Sequence, residues 1–222
     1  MQSNCCGNRI NESIESGKSG SKCTCPQDYG ICEGKPQVKR GARAEDATYA
    51  KYLCNGAEKC VVGIDSSDVA PQNFLDAMST AYFKASAVVK YNKPFDMASD
   101  TFDIKITLDD LGKELKPPIT FINTRILFSG ESSRTELLIA EESLEEKLDT
   151  IGSPVTISVP LNLDYKPAQV EESGAIRYVL DYNYIKKVPS GRDSYGNPLY
   201  TEEPAREKFT SPPKQVLLVR TG

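Results

Sequence analysis

The sequence contains no histidine, no tryptophan and no cysteine after Cys60. Without histidine, this chain cannot form a Ser-His-Asp or Cys-His catalytic site, a histidine general base or a His-ligated metal site. No apolar run approaches the roughly 20 residues that span a bilayer. No signal-peptide core follows Met1, so we expect a secreted form to have lost its leader. The net charge is −4, and the sequence has no stripe of basic residues. We therefore expect no nucleic-acid partner.

All seven cysteines lie in the first 60 residues. The residues between them are small, polar or turn-forming, and they bury too little apolar surface to offset the chain entropy. Disulfides would stabilise such a module by about 2–4 kcal/mol each, and they require an oxidising compartment. Short apolar segments at 49–53 and 61–64 predict a β-hairpin with one cysteine on each arm. The disulfide candidates are Cys5, Cys6, Cys23, Cys25, Cys32, Cys54 and Cys60.

Two other states of these cysteines are open. Structural zinc would need four thiolates here, and such sites favour paired Cys-x2–4-Cys knuckles. The chain has one Cys-x-Cys, at Cys23 and Cys25, and no Cys-x-x-Cys, which favours disulfides over zinc and over a thioredoxin-like redox site.

Because the number of cysteines, seven, is odd, one cysteine stays outside any set of pairs. We expect it to be Cys5 or Cys6, serving an intermolecular bridge or a lipid, or serving no role. The spacing does not determine the connectivity.

The composition divides the chain into three parts. Residues 1–64 form the cysteine-rich module, residues 65–81 a linker, and residues 82–222 a β domain. The module carries an N-x-Ser/Thr sequon at Asn11, which is a glycosylation candidate if the chain enters a glycosylating compartment.

The linker is expected to contain a short helix. Ser67 or Asp68 is a suitable N-cap, and residues 71–79 follow it. A helix there would place three apolar side chains on one face: Phe74, Leu75 and Met78.

Alternation of apolar and polar residues dominates from residue 82 onward. Phe102, Ile104, Ile106 and Leu108 share one face of a strand and are separated by polar residues. A series of such strands, joined by turn-rich connections, predicts a mainly β, antiparallel two-sheet sandwich. The expected strands cover residues 83–91, 102–108, 119–128, 136–140, 155–161, 175–187 and 215–220.

Three segments of this domain carry a resemblance to a known family. They are the turn Asp109-Asp110-Leu111-Gly112, the segment Leu144 to Gly152 leading into Pro154–Pro160, and the late strand at 176–182. Together they resemble immunoglobulin-like domains of microbial cell-surface proteins, over residues 82–188. The domain lacks the tryptophan and inter-sheet disulfide typical of immunoglobulin domains. The resemblance implies an extracellular structural or binding role and transfers no site residue.

Two regions are candidate sites. A polar connection of about 25 residues precedes the last strand, and loops of this length are often functional. It contains Arg192, Tyr195 and Tyr200, residue types common in protein recognition. The acidic residues 141–149 are expected to form a solvated helical turn with Leu144 and Leu148 on the core. A calcium site there, or at Asp109-Asp110, is the alternative.

The sequence therefore favours an extracellular or cell-surface structural or binding protein. It would act through protein contacts, including self-association in a surface assembly, without catalysis, metal or cofactor. The alternative is an intracellular Cys-zinc module joined to a β-sandwich adaptor, which predicts about one zinc per chain.

Overall fold

Strands make up most of this chain. The structure, a computed structural model, describes residues 5–131, 135–161 and 165–222. Its helical segments are α1 (Pro26–Tyr29) and a 3-10 turn over Ser66–Asp68, and no helix among the described residues has the length and apolar content to cross a bilayer. In chain order the strands are β1 (Ile14–Glu15), β2 (Lys18–Ser19), β3 (Gln37–Arg40), β4 (Arg43–Asp46), β5 (Ala50–Cys54), β6 (Cys60–Ile64), β7 (Ala70–Ser79), β8 (Phe83–Lys93), β9 (Phe95–Asp96), β10 (Thr101–Leu111), β11 (Leu115–Gly130), β12 (Leu137–Leu148), β13 (Pro154–Pro160), β14 (Glu171–Arg192), β15 (Pro198–Thr210) and β16 (Lys214–Val219).

The smaller of the two main sheets has four antiparallel strands in the order β13-β10-β8-β7. The alternation predicted for β8 and β10 is confirmed, because the side chains on their inward faces are at most 3% exposed. These strands therefore bury one face and leave the polar residues between on the other. The inward residues are Phe83, Ala85, Ala87, Val89, Tyr91, Phe102, Ile104, Ile106 and Leu108.

The larger sheet has the order β12-β11-β14-β16-β9, and β15 also pairs with β14. All of its pairings are antiparallel except β16 with β9. The long strand β14 has β16 beside its first half and β15 beside its second half. This arrangement lets β14 extend past the rest of the sheet.

The two main sheets share one hydrophobic core. The ring of Phe83 meets that of Tyr182 edge-on at 5.6 Å between centroids, and Phe102 lies 6.2 Å from Tyr178. Tyr178, Tyr182 and Tyr184 are at most 3% exposed, so they lie on the inward face of β14. The mainly β prediction is confirmed, and the strands form several sheets.

The cysteine-rich module packs on the larger sheet through a second, smaller core. Along β16, Val216 and Leu218 point into the main core, while Leu217 and Val219 point to the opposite side. Alternate side chains of a strand face opposite sides of the sheet, so β16 is buried on both faces. The module residues that pack on its outer face are Val38, Ala47 and Ala50.

A buried carboxylate adds a polar contact to the same junction. Glu171, the first residue of β14, is 6% exposed. Its carboxylate accepts hydrogen bonds from the backbone N–H groups of Thr48 at 2.8 Å and of Tyr49 and Ala50 at 2.5 Å each. Hydrogen bonds from backbone N–H groups to a carboxylate are strong. These three bonds therefore compensate for the burial of the Glu171 carboxylate between the module and the sheet.

The helix predicted over residues 71–79 is wrong. These residues belong to strand β7, and the only helical turn in the linker is the 3-10 turn, where the Asp65 carboxylate accepts from the Ser67 N–H at 3.0 Å. Leu75, expected on the buried helix face, is 73% exposed, whereas Asp76 is 6% exposed. The inward aspartate interrupted the apolar alternation, which is why the strand pattern was missed.

The helical turn predicted over residues 141–149 is also wrong. This segment is most of strand β12, which pairs with β11. Leu148 is 1% exposed and Leu144 packs against the main core, so the predicted core contact of these two side chains is confirmed. The glutamates between them lie along an outer strand of the sheet, where charged side chains discourage pairing with another sheet.

Candidate functional site

The connection predicted as a polar loop is a β-hairpin. Strands β14 and β15 pair from Val179 opposite Thr210 to Arg192 opposite Pro198. The pairing of β14 with β11 ends at Lys186, opposite Leu115. Within the described part of the chain, residues 188–201 therefore pair only with each other. We call them the ribbon.

The turn at the ribbon tip is held by one aspartate. The Asp193 carboxylate accepts from the N–H groups of Tyr195 and Asn197, both at 2.8 Å, and from the Asn197 side-chain amide at 3.0 Å. Two backbone hydrogen bonds close the same turn, and Gly196 supplies the left-handed conformation, with φ of 85°. Hydrogen bonds from Asn197 hold the pKa of Asp193 below its usual range, because they favour the ionised carboxylate.

The tip displays apolar surface to solvent. Tyr195 is 89% exposed, Tyr200 is 50% exposed and Leu199 is 48% exposed. Arg192 is exposed and lies beside the turn, with its guanidinium 3.4 Å from the Gly196 carbonyl. The three residues predicted as partner contacts thus lie on one hairpin. Leu199 was missed, although its position between a proline and Tyr200 in a polar segment marks it as unusual.

The base of the ribbon is joined firmly to the body of the protein. The Glu207 carboxylate accepts from the hydroxyls of Tyr184 at 2.6 Å and Tyr182 at 3.2 Å. Burial, above all, raises the pKa of both hydroxyls, so they stay protonated and donate. Lys116 adds an exposed ion pair with Glu202 at 2.8 Å. Core side chains therefore anchor the parts of β14 and β15 from which the ribbon extends.

The cysteines of the module form three disulfides. Each pair has a Cα separation of 5.4–5.7 Å, within the usual range for disulfides. The bridges use six of the seven cysteines, and Cys5 is not among them. Residues 1–4 of the predicted module lie outside the described residues. The pairs are Cys6–Cys25, Cys23–Cys54 and Cys32–Cys60.

The other predicted site residues remain separate. Asn11 is exposed, as glycosylation would require, and stays a prediction. Among the described residues, Asp109 and Asp110 do not join a third acidic or cysteine side chain in a cluster close enough to share a cation, and neither do the glutamates of β12.

No protein-family model matches this chain, and no curated protein matches it at a significant level. The geometry of the chain itself is therefore the basis for a function.

Proposed function

We propose that this protein is an extracellular or cell-surface structural or binding protein that acts through protein contacts. In this proposal the two main sheets are an immunoglobulin-like sandwich, the bridged module covers one sheet, and the ribbon is the contact site. The chemistry is recognition without a covalent step. Two independent features support it.

The first feature is the display of Tyr195. Tyr195 is 89% exposed, and it stands on a turn whose backbone is ordered by several hydrogen bonds. Tyrosine is common at the centre of protein interfaces, and a contact that is already ordered loses little entropy on binding. Arg192 and Tyr200 would extend the contact along the ribbon. The exposed Tyr195 on this hydrogen-bonded turn is the observation that carries the proposal.

The second feature is the set of disulfides. Three bridges in one small module are typical of oxidising compartments and rare in the cytosol. Non-reducing peptide mapping of the protein from its source cells is expected to recover all three pairs. Recovery of the six bridging cysteines as alkylated thiols would contradict the extracellular location, without bearing on the ribbon.

The contact site can be tested with a photo-crosslinking residue in place of Tyr195. A matched control carries the same residue in place of Thr156, which is exposed on β13, a strand of the other sheet. After irradiation with envelope proteins of the source cell, the Tyr195 position is expected to form a discrete adduct with a partner or a second copy. The Thr156 position is expected to form none. Equal labelling from both positions would refute the ribbon as the contact site.

A further inference from the structure

The cysteine-rich module brings two of its disulfides together. Cys54 ends β5 and Cys60 begins β6, and the two residues lie directly opposite each other in the hairpin. Their bridges lead to Cys23 and Cys32. As a result, the sulfur atoms of Cys23, Cys32 and Cys54 all lie within 4.8 Å of one another, and Cys60 is bonded to Cys32.

This spacing is close to that of a tetrathiolate metal site. Four thiolates about 2.3 Å from a tetrahedral zinc ion lie about 3.8 Å from each other. Opening the two bridges lets the sulfurs of each pair move apart toward that separation. Cys54 is exposed and the other two are half-buried, so a reductant and a metal ion can reach them.

The segments that carry these cysteines are also held together without the bridges. The Ser21 hydroxyl donates to the Glu58 carbonyl at 2.9 Å, which joins the segment before Cys23 to the hairpin turn. The Tyr52 N–H donates to the Gly34 carbonyl at 3.0 Å, which joins the segment after Cys32 to β5. These two hydrogen bonds do not depend on the bridges, and they favour an arrangement in which the four thiols remain near one another.

We propose that Cys23, Cys32, Cys54 and Cys60, once reduced, bind one thiophilic divalent cation such as Zn²⁺. A phosphine or thiol reductant supplies two electrons to each bridge, and each bridge takes up two protons to become two thiols. The four thiols then release their protons as their sulfurs bind the cation. The module thus has two cross-linked forms built from the same residues, one covalent and one with a metal.

The third bridge is the internal comparison. Cys6, Cys25 and the Asp28 carboxylate also lie within 4.8 Å of one another. That carboxylate already accepts from the N–H groups of Gly7 at 2.7 Å and Arg9 at 2.6 Å. This group offers only two sulfurs and one oxygen, and the oxygen is already hydrogen-bonded. A thiophilic cation would therefore favour the four cysteines Cys23, Cys32, Cys54 and Cys60.

Cobalt(II) is a spectroscopic probe for such a site. The full chain, reduced with a phosphine, is expected to bind one Co²⁺ with the intense bands of tetrahedral thiolate coordination, and Zn²⁺ should displace it. The variant Cys5→Ser/Cys6→Ser/Cys25→Ser keeps only the four cluster cysteines and should behave the same. The variant Cys54→Ser/Cys60→Ser should lose these bands. Absence of the bands in the reduced chain, or their persistence without Cys54 and Cys60, would overturn the proposal.

A second measurement does not depend on the Cys54→Ser/Cys60→Ser variant. X-ray absorption at the zinc edge of the triple variant loaded with one Zn²⁺ should show four sulfur neighbours at about 2.3 Å. A first shell with two or fewer sulfurs would contradict the four-cysteine site.

Discussion

Lys214 and Asp76 form an ion pair inside the main core. The Lys214 ammonium lies 2.6 Å from the Asp76 carboxylate, and the side chains are 3% and 6% exposed. The Tyr178 hydroxyl donates to the same carboxylate oxygen at 2.9 Å. The pair joins β16 in the larger sheet to β7 in the smaller one, across the core that the two sheets share.

Breaking this pair should destabilise the protein more than removing it. Asp76→Ala leaves a buried ammonium without its counter-charge, and we expect it to lower the free energy of unfolding by about 3–5 kcal/mol. The double variant Asp76→Leu/Lys214→Met removes both charges and should be clearly more stable than Asp76→Ala. Tyr178→Phe, which removes one hydrogen bond, should cost about 1 kcal/mol. Urea unfolding measures all three, and a double variant no more stable than the single one would contradict the pair's role.

Glu171 should hold the module on the larger sheet. Glu171→Ala leaves the backbone N–H groups of residues 48–50 without their acceptor, and we expect a loss of about 2 kcal/mol or more. Hydrogen exchange should quicken at these amides and at β3 and β4. The neighbouring Glu172→Ala, which removes an acceptor for the Tyr165 hydroxyl, is the control. Equal effects of both variants on the module amides would count against this assignment.

Alkaline pH should unfold the protein through its buried tyrosines. Burial raises the pKa of Tyr91 to about 12 and also raises the pKa of Tyr178 and Tyr182, whereas an unfolded tyrosine has a pKa of about 10. Their contribution to stability is complete below that pH and declines as the pH rises above it, because the unfolded chain releases these protons first. Absorbance at the phenolate band should show fewer ionised tyrosines in the native than in the unfolded protein between about pH 10 and 12. Overlapping titrations would disprove this.

The ribbon tip should loosen in acid. Since the pKa of Asp193 is lowered in the folded turn, its contribution is present above the unfolded value of about 3.9 and is lost as the pH falls through the folded value. The amide signals of Tyr195 and Asn197 should shift in that range, and Asp193→Ala should produce the same shifts at neutral pH.

Tyr195→Ala should change the free energy of unfolding by less than about 0.5 kcal/mol. A larger loss would mean that Tyr195 serves stability and not contact.

Strands with one apolar face were predictable from the sequence. β8 and β10 alternate strictly, and the inward residues of both are buried as expected. β7 was not predictable because its inward Asp76 is neutralised by Lys214, which lies far along the chain. A local pattern cannot contain a partner that only the folded sheets bring near.

The ribbon and the disulfides show a second limit. β15 is exposed along most of its length and follows no apolar alternation, because it is held mainly by its backbone pairing with β14. Arg192, Tyr195 and Tyr200 were found from residue type and loop length, but not the hairpin that brings them together. For the cysteines, the hairpin with Cys54 and Cys60 on its arms was predictable, whereas the partners of these two depend on how the flanking loops fold over it.

The double burial of β16 has a consequence for the order of folding during synthesis. Neither hydrophobic core is complete until residues 214–219 have left the ribosome, because Val216 and Leu218 close one core and Leu217 and Val219 close the other. The cysteines are synthesised much earlier, so they can form disulfides before the module has the outer face of β16 to pack against. Correct pairing must then be encoded within the module, or be selected by isomerisation of the bridges once β16 arrives.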